Sequence, residues 1–308
     1  MIHHPVLLPE VLRYLAPRSG GTVVDGTVGL GGHAEAILEA SAPDGRLVGL
    51  DRDAEVLPLA AARLERFGPR VRLLHAPARD MGGVLAGVQV DGVLLDFGVS
   101  GAQLDDPARG FSFQATGPLD LRMDRSCSPS GADLVNEVSE RDLADLLHRY
   151  GEEPQARRIA RAIVKARPIE TTTHLADVVA RAAGGRRGRR IHPATRTFQA
   201  IRIAVNHELE EVEGALRAAL DVVAPGGRIV AIAFHSLEDR LSKQILNRSA
   251  GVGAGRDAFG HPLGTVRFRR LTPRAVQGSD PHPRARSARL RAVERMPDPT
   301  AEAARSTT

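Results

Sequence analysis

Over the first hundred residues, short apolar runs alternate with helix-length stretches. Thr22-Val-Val ends at Asp25 and Gly26, and a helix is predicted from about Gly32 to Ala40. Arg46-Leu-Val-Gly-Leu ends at Asp51, with an Ala/Leu-rich helix predicted from about Ala54 to Phe67. Val71-Arg-Leu-Leu-His and Asp91-Gly-Val-Leu-Leu are two further strand candidates. Such runs separated by helices predict βαβ units around a parallel sheet. Right-handed crossovers then leave the loops at the carboxyl ends of the strands, where ligands bind in such folds.

From about Asp105 to His207 the apolar residues recur at helical spacing and no strand of comparable quality intervenes. Ser139-Glu-Arg-Asp142 reads as a cap opening a helix to about Tyr150. Pro154 opens another over Gln155 to Ala166, a third follows Thr173, and a fourth starts near Thr195. The βα pattern then resumes with a helix from Glu208 to Val223, a buried strand from Arg228 to Phe234 and a helix from about Leu237 to Leu246. Strand candidates near Thr265–Leu271 and Ser287–Val293 follow a glycine-rich loop. The expected fold class is therefore α/β, a Rossmann-like sheet with helices on both faces and an inserted all-helical domain. The expected boundaries are 1–105 with 208–296 for the sheet domain, 106–207 for the insertion and 297–308 for a frayed tail.

Composition narrows the function. The chain of 308 residues is 42% hydrophobic and 26% charged, enough to bury a full core. Aromatic residues are only 3%, with no Trp, which argues against binding by many stacked aromatic platforms. The single cysteine, Cys127, excludes internal disulfides and four-cysteine metal sites, and no metal-ligand pattern is read. No apolar stretch approaches the ~18 residues of a membrane span, and no secretory signal is visible, so a cytoplasmic setting is expected.

Val23-Val-Asp-Gly-Thr-Val-Gly-Leu-Gly-Gly-His33 is the most informative segment. A strand leads into Gly29, Gly31 and Gly32 and then into a helix, and glycine lets the backbone approach a ligand closely. Asp51 lies 20 residues after Gly31, where a nucleoside-binding βαβ unit places the carboxylate that takes the ribose hydroxyls. Asp25, ahead of the glycines, would repel a diphosphate but receive an ammonium group. That favours S-adenosylmethionine over a nicotinamide dinucleotide. Asp96, ending Val93-Leu-Leu-Asp96, points into the same crevice.

These stretches, with others, resemble the MraW/RsmH methyltransferase family, from His3 to about Glu294. The carriers include His4-Pro-Val-Leu-Leu, Gly49-Leu-Asp-Arg-Asp53, Asp91-Gly-Val-Leu-Leu-Asp-Phe-Gly-Val-Ser100 and Arg109-Gly-Phe-Ser-Phe113. Leu119-Asp-Leu-Arg-Met-Asp124, Tyr150-Gly-Glu-Glu153, His192-Pro-Ala-Thr-Arg-Thr-Phe-Gln199, Phe234-His-Ser-Leu-Glu-Asp-Arg240 and Arg284-Ala-Arg-Ser-Ala-Arg-Leu-Arg291 complete the set. The resemblance implies a class I methyltransferase sheet. It implies methyl transfer from S-adenosylmethionine to N4 of a cytidine in the decoding region of 16S ribosomal RNA, with that RNA or the small ribosomal subunit as partner. A homodimer is compatible with it. The alternatives are a methyltransferase on another nucleic-acid amine and a non-catalytic RNA-binding ribosome-assembly factor.

The family's cofactor contacts carry over to Gly31, Gly32 and His33, with Asp51, Asp96 and Gln103 at matching positions, and Asp25 joins them on its own chemistry. Ala78 stands where the family usually has an aromatic residue against the adenine, leaving stacking lost or supplied by a neighbour such as Met81. Methylation at carbon 5 of a pyrimidine needs a cysteine nucleophile, and Cys127 has no neighbouring base in sequence. A nitrogen nucleophile instead needs in-line positioning and a proton acceptor, a role assigned to Asp96 or the carbonyls beside it. Phe97 is the expected partial substitute for a base-stacking ring. His235 reads either as a substrate contact or as a helix cap.

Charge suggests where RNA would lie. Residues 265–295 hold nine Arg against Asp280 and Glu294, a net of +7 beside +5 for the whole chain. Arg284 and Arg286 in this stretch, and Arg186, Arg187, Arg189 and Arg190 in a second cluster, are the expected phosphate contacts.

Overall fold

The computed structural model describes residues 5–127, 129–185, 191–253, 266–278 and 286–297. The chain divides into two compact units, Met1–Gly98 with Leu209–Thr308, and Val99–Glu208.

The first unit is built on seven strands: β1 (Thr22–Asp25), β2 (Arg46–Asp51), β3 (Val71–His75), β4 (Val90–Asp96), β5 (Val223–Ala233), β6 (Phe268–Arg270) and β7 (Arg289–Arg295). They form one sheet in the order β3-β2-β1-β4-β5-β7-β6. Strands β1 to β5 pair in parallel, and β7 runs antiparallel to both β5 and β6. This is the Rossmann-like sheet of the expected class, with one reversed strand, β7, set between β5 and the edge strand β6.

Helices α1 (Leu8–Leu15), α2 (Gly32–Ala40), α3 (Leu57–Leu64) and α4 (Met81–Leu85) connect the early strands. The second unit carries α5 (Gly101–Asp105), α6 (Gly131–Glu137), α7 (Glu140–Gly151), α8 (Ala156–Lys165), α9 (Thr172–Ala182) and α10 (Ala194–Asn206). After it come α11 (Glu208–Val222) and α12 (Ser236–Ser249). Side chains alternate across the strands with period two, so the sheet buries both faces. Leu94, Ile232 and Leu290 join Val11, Ile37 and Leu64 from α1, α2 and α3. Val93, Leu95, Ala231 and Val293 join Met81, Val212, Leu216 and Leu246 from α4, α11 and α12.

The expected strand from Arg228 begins earlier, at Val223, and absorbs Pro225-Gly226-Gly227. Its pairing with β4 shifts register between Val90 and Gly92, which gives those residues room. The short α1 went unpredicted, although Val11 and Leu15 share its buried face and Pro9 in its first turn is a starting signal.

The second unit has its own core, built from Leu143, Leu147, Ile159, Ile163, Leu175, Val179, Phe198 and Ile201. Ser139 caps α7 by accepting from the Asp142 amide at 3.1 Å. A Cβ on Gly151 would meet the Arg196 carbonyl at 2.7 Å, so glycine there lets α7 and α10 approach closely. Asn206 ties the end of α10 to the loop before α6. Its Oδ1 accepts from the Met123 amide at 2.7 Å, and its Nδ2 donates to the carbonyls of Leu121 and Arg202 at 2.7 and 2.9 Å.

Candidate active site

The carboxyl ends of β1, β2 and β4 bring Asp25, Asp51 and Asp96 into one region of the first unit. The turn from β1 to α2 is knitted to its neighbours: Gly26 N–H donates to the Leu94 carbonyl and Val28 N–H to the Leu50 carbonyl, both at 2.9 Å. Gly31, at φ +77°, then reverses the chain into α2, a conformation that favours glycine.

Asp51 holds this turn from the next strand. Its Oδ2 accepts from the Gly29 amide at 2.8 Å and its Oδ1 from the Asp53 amide at 2.9 Å. Each carboxylate oxygen retains a further lone pair for a hydroxyl. Burial pushes the Asp51 carboxyl up to about 6 against the Gly29 and Asp53 amides that lower it. Asp25 is only 1% exposed and accepts from the Thr27 amide at 3.1 Å. Burial, with Asp51 adding its charge, raises Asp25 to about 7.

Asp96 completes the cluster. Its amide donates to Thr27 Oγ1 at 2.7 Å, and its Oδ2 lies 3.5 Å from His33 Nδ1. Its Oδ1 is buried without a hydrogen-bond partner. Burial raises this carboxyl well above the ordinary range, and Asp25 and Glu238 raise it further. Among the described residues no Lys or Arg pairs with Asp25, Asp51 or Asp96. Desolvated acids that repel one another suit a positively charged ligand better than an anionic one. A sulfonium with an ammonium group fits such a receptor, whereas a pyrophosphate does not.

The other expected residues fall as follows. Gly31 caps α2, and Gly32 and His33 open it. His235 is the N-cap of α12: its Nδ1 accepts from the Glu238 amide at 3.3 Å, while Glu238 Oε2 accepts from the amides of Phe234 and His235. Of the two readings of His235, this geometry supplies the cap. Gln103 belongs to the second unit, where it closes a capping box with Ser100. Ala78 and Met81 are buried in the sheet core, and Phe97 packs there too at 5% exposure, which leaves little of that ring to stack on a base. Arg286 is exposed just before β7. Arg186, Arg187, Arg189, Arg190 and Arg284 lie outside the described residues. Cys127 is exposed, 3.5 Å from Asp124 Oδ2.

Two contributors escaped the sequence reading. Thr27 serves both Asp25 and Asp96, and its place inside Asp25-Gly-Thr27 was the available signal. Glu238, 1% exposed, adds negative charge beside Asp96, and it sits in the quoted Phe234–Arg240 motif.

The glycine turn, the acid closing β2 and the buried carboxyl ending β4 stand together at the carboxyl rim of an α/β sheet of the Rossmann-like methyltransferase class. Residues 1–296 match the model of the MraW methylase family, and the chain belongs to that family, whose cofactor is S-adenosylmethionine. It is 50% identical over 309 residues to the ribosomal RNA small subunit methyltransferase H of Thermomicrobium roseum, covering 96% of this chain and 94% of the relative. With the protein of that name from Geobacter sulfurreducens it shares 51% identity over 307 residues, covering 96% and 99%. Among solved structures, a putative rRNA methylase from Clostridium thermocellum aligns with 13% identity and a TM-score of 0.48, covering 96% of this chain and all of the other. That likeness is too remote to bear on function.

Proposed function

We propose that the chain transfers the methyl group of S-adenosylmethionine to the exocyclic N4 amine of a cytidine in the decoding region of 16S ribosomal RNA. The relatives' names carry the small-subunit RNA. The observation that carries the chemistry is the buried, partnerless Oδ1 of Asp96 beside His33.

The cofactor, when bound, supplies an electrophilic methyl. Asp51 would take the ribose hydroxyls with its remaining lone pairs, and Asp25 would face the ammonium group. The cytosine amine is a weak nucleophile, because its lone pair is delocalised into the ring. A carboxylate accepting one amine N–H lets the nitrogen pyramidalise and then receives the proton that it sheds. Burial, with Asp25 and Glu238 beside it, favours the protonated form of Asp96, and a bound cation favours its ionised form. His33 stands next to it to share the charge. The second unit would recognise RNA while the target base is splayed into the pocket.

The test is transfer of labelled methyl from S-adenosylmethionine to small-subunit RNA. Label in the RNA, with NAD giving no thermal stabilisation of the protein, supports the reading. No label despite bound cofactor overturns it.

A further inference from the structure

A concave, basic site lies at the edge of the sheet unit, away from the acidic cluster. Lys243 from α12, Arg274 and Gln277 from the segment after β6, and Arg289 and Arg291 from β7 line a pocket of about 360 Å³. Its arginines are oriented from beneath. Asp239, one turn before Lys243, accepts from Arg291 Nε at 2.8 Å and from Arg289 Nη1 at 3.2 Å. Burial works to raise the Asp239 carboxyl, but the two guanidinium groups outweigh it and hold it below the ordinary range. Each guanidinium keeps further N–H donors after these bonds. Four cations thus line one pocket, and a single carboxylate presets the direction of two of them.

The position is informative. Arg289 pairs with Ala233 and Arg291 with Ala231, while the intervening Ile232 lies opposite Asp96 on β4. The pocket therefore sits at the carboxyl rim, two strands from β4, on the sheet face opposite the one that Asp96, Ile232 and Leu290 share. An RNA strand whose base enters at Asp96 would cross this rim to reach the pocket. Fixed guanidinium forks match phosphate oxygens bidentately.

We propose that this pocket binds a backbone phosphodiester of the RNA substrate next to the target nucleotide. The proposal rests on the reading of the chain as an RNA methyltransferase and adds the place where the backbone is held.

Lys243 and Arg274 are exposed, so both can be replaced without disturbing the Asp239 brace. The experiment measures affinity for a small-subunit RNA fragment over a series of salt concentrations. It compares wild type, the double variant Lys243→Ala/Arg274→Ala, and Arg217→Ala, an exposed arginine on α11, as a control for net charge. The double variant is expected to bind at least about tenfold more weakly, with the slope of log K against log[salt] reduced by about 0.7–0.9. Its KM for RNA should rise while kcat and S-adenosylmethionine affinity stay within twofold, and Arg217→Ala should match wild type. Unchanged RNA affinity and slope in a double variant that still methylates RNA would overturn the pocket alone. An equal loss in Arg217→Ala would also overturn it, by showing that only net charge matters. A wild-type protein that neither binds nor methylates the RNA would overturn the underlying reading and the pocket with it.

Discussion

His33 bridges the amino-terminal segment and the end of β4: its Nδ1 lies 3.5 Å from Asp96 Oδ2, and its Nε2 lies 2.9 Å from the Val6 carbonyl. A carbonyl can only accept, so Nε2 carries a proton. Nδ1 is thereby the ring nitrogen left facing the Asp96 carboxyl.

Asp96→Asn keeps the shape but cannot accept the amine proton. Its kcat at saturating cofactor should fall by about 10²–10⁴-fold, with S-adenosylmethionine affinity changed little. Single-turnover assays and calorimetry on one preparation separate the two effects. Normal turnover would show that the acceptor is another group.

Asp51→Ala removes the acceptor for the Gly29 and Asp53 amides as well as the proposed ribose contact. Hydrogen bonds to a charged group contribute about 1.5–3 kcal/mol. KM for S-adenosylmethionine should therefore rise by roughly one to two orders of magnitude, with kcat largely kept. A variant that binds the cofactor normally would remove Asp51 from the site.

The acids predict a pH dependence of both stability and binding. Asp25 and Asp51 rise from 3.8 to about 7 and about 6 in the folded chain. Their stabilising contribution is complete below pH 3.8 and is lost as pH rises through 6 to 7, since the folded state holds protons that the unfolded state has released. Asp25→Asn should thus flatten the decline in melting temperature across that window. A cationic cofactor selects the ionised acids, so its affinity should rise with pH over the same range. Calorimetry in buffers of different ionisation heat should show protons released on binding. Proton uptake would contradict the assignment.

Two substitutions in the second unit contrast structure with chemistry. Asn206→Ala leaves the Met123 amide and the Leu121 carbonyl without their partner and should destabilise that unit by about 2–4 kcal/mol in denaturant titrations. Cys127→Ser, at an exposed position, should shift stability by no more than about 0.5 kcal/mol and leave turnover intact. Loss of turnover in Cys127→Ser would restore a covalent route.

The glycine turn, Asp25, Asp51 and Asp96 were readable because each sits at a strand end, and local periodicity marks strand ends. The Ser139 cap was readable because capping is a short-range code. The reversal of β7 was not, since strand direction depends on a partner far away in sequence. The Asp239 brace on Arg289 and Arg291 follows from that reversal, so no local pattern announced it. The Val6 carbonyl that sets the His33 tautomer is equally silent in sequence, being a backbone atom 27 positions away. Phe97 looked available to a base because strand ends face ligands, yet tertiary packing took its ring into the core.

The most direct measurement is mass spectrometry of RNA nucleosides. Small ribosomal subunits lacking the mark are incubated with the protein and S-adenosylmethionine, and their RNA is digested. The account predicts N4-methylcytidine at one site in the decoding region, absent with Asp96→Asn. A methyl group on another base or another atom, or none despite bound cofactor, would contradict it.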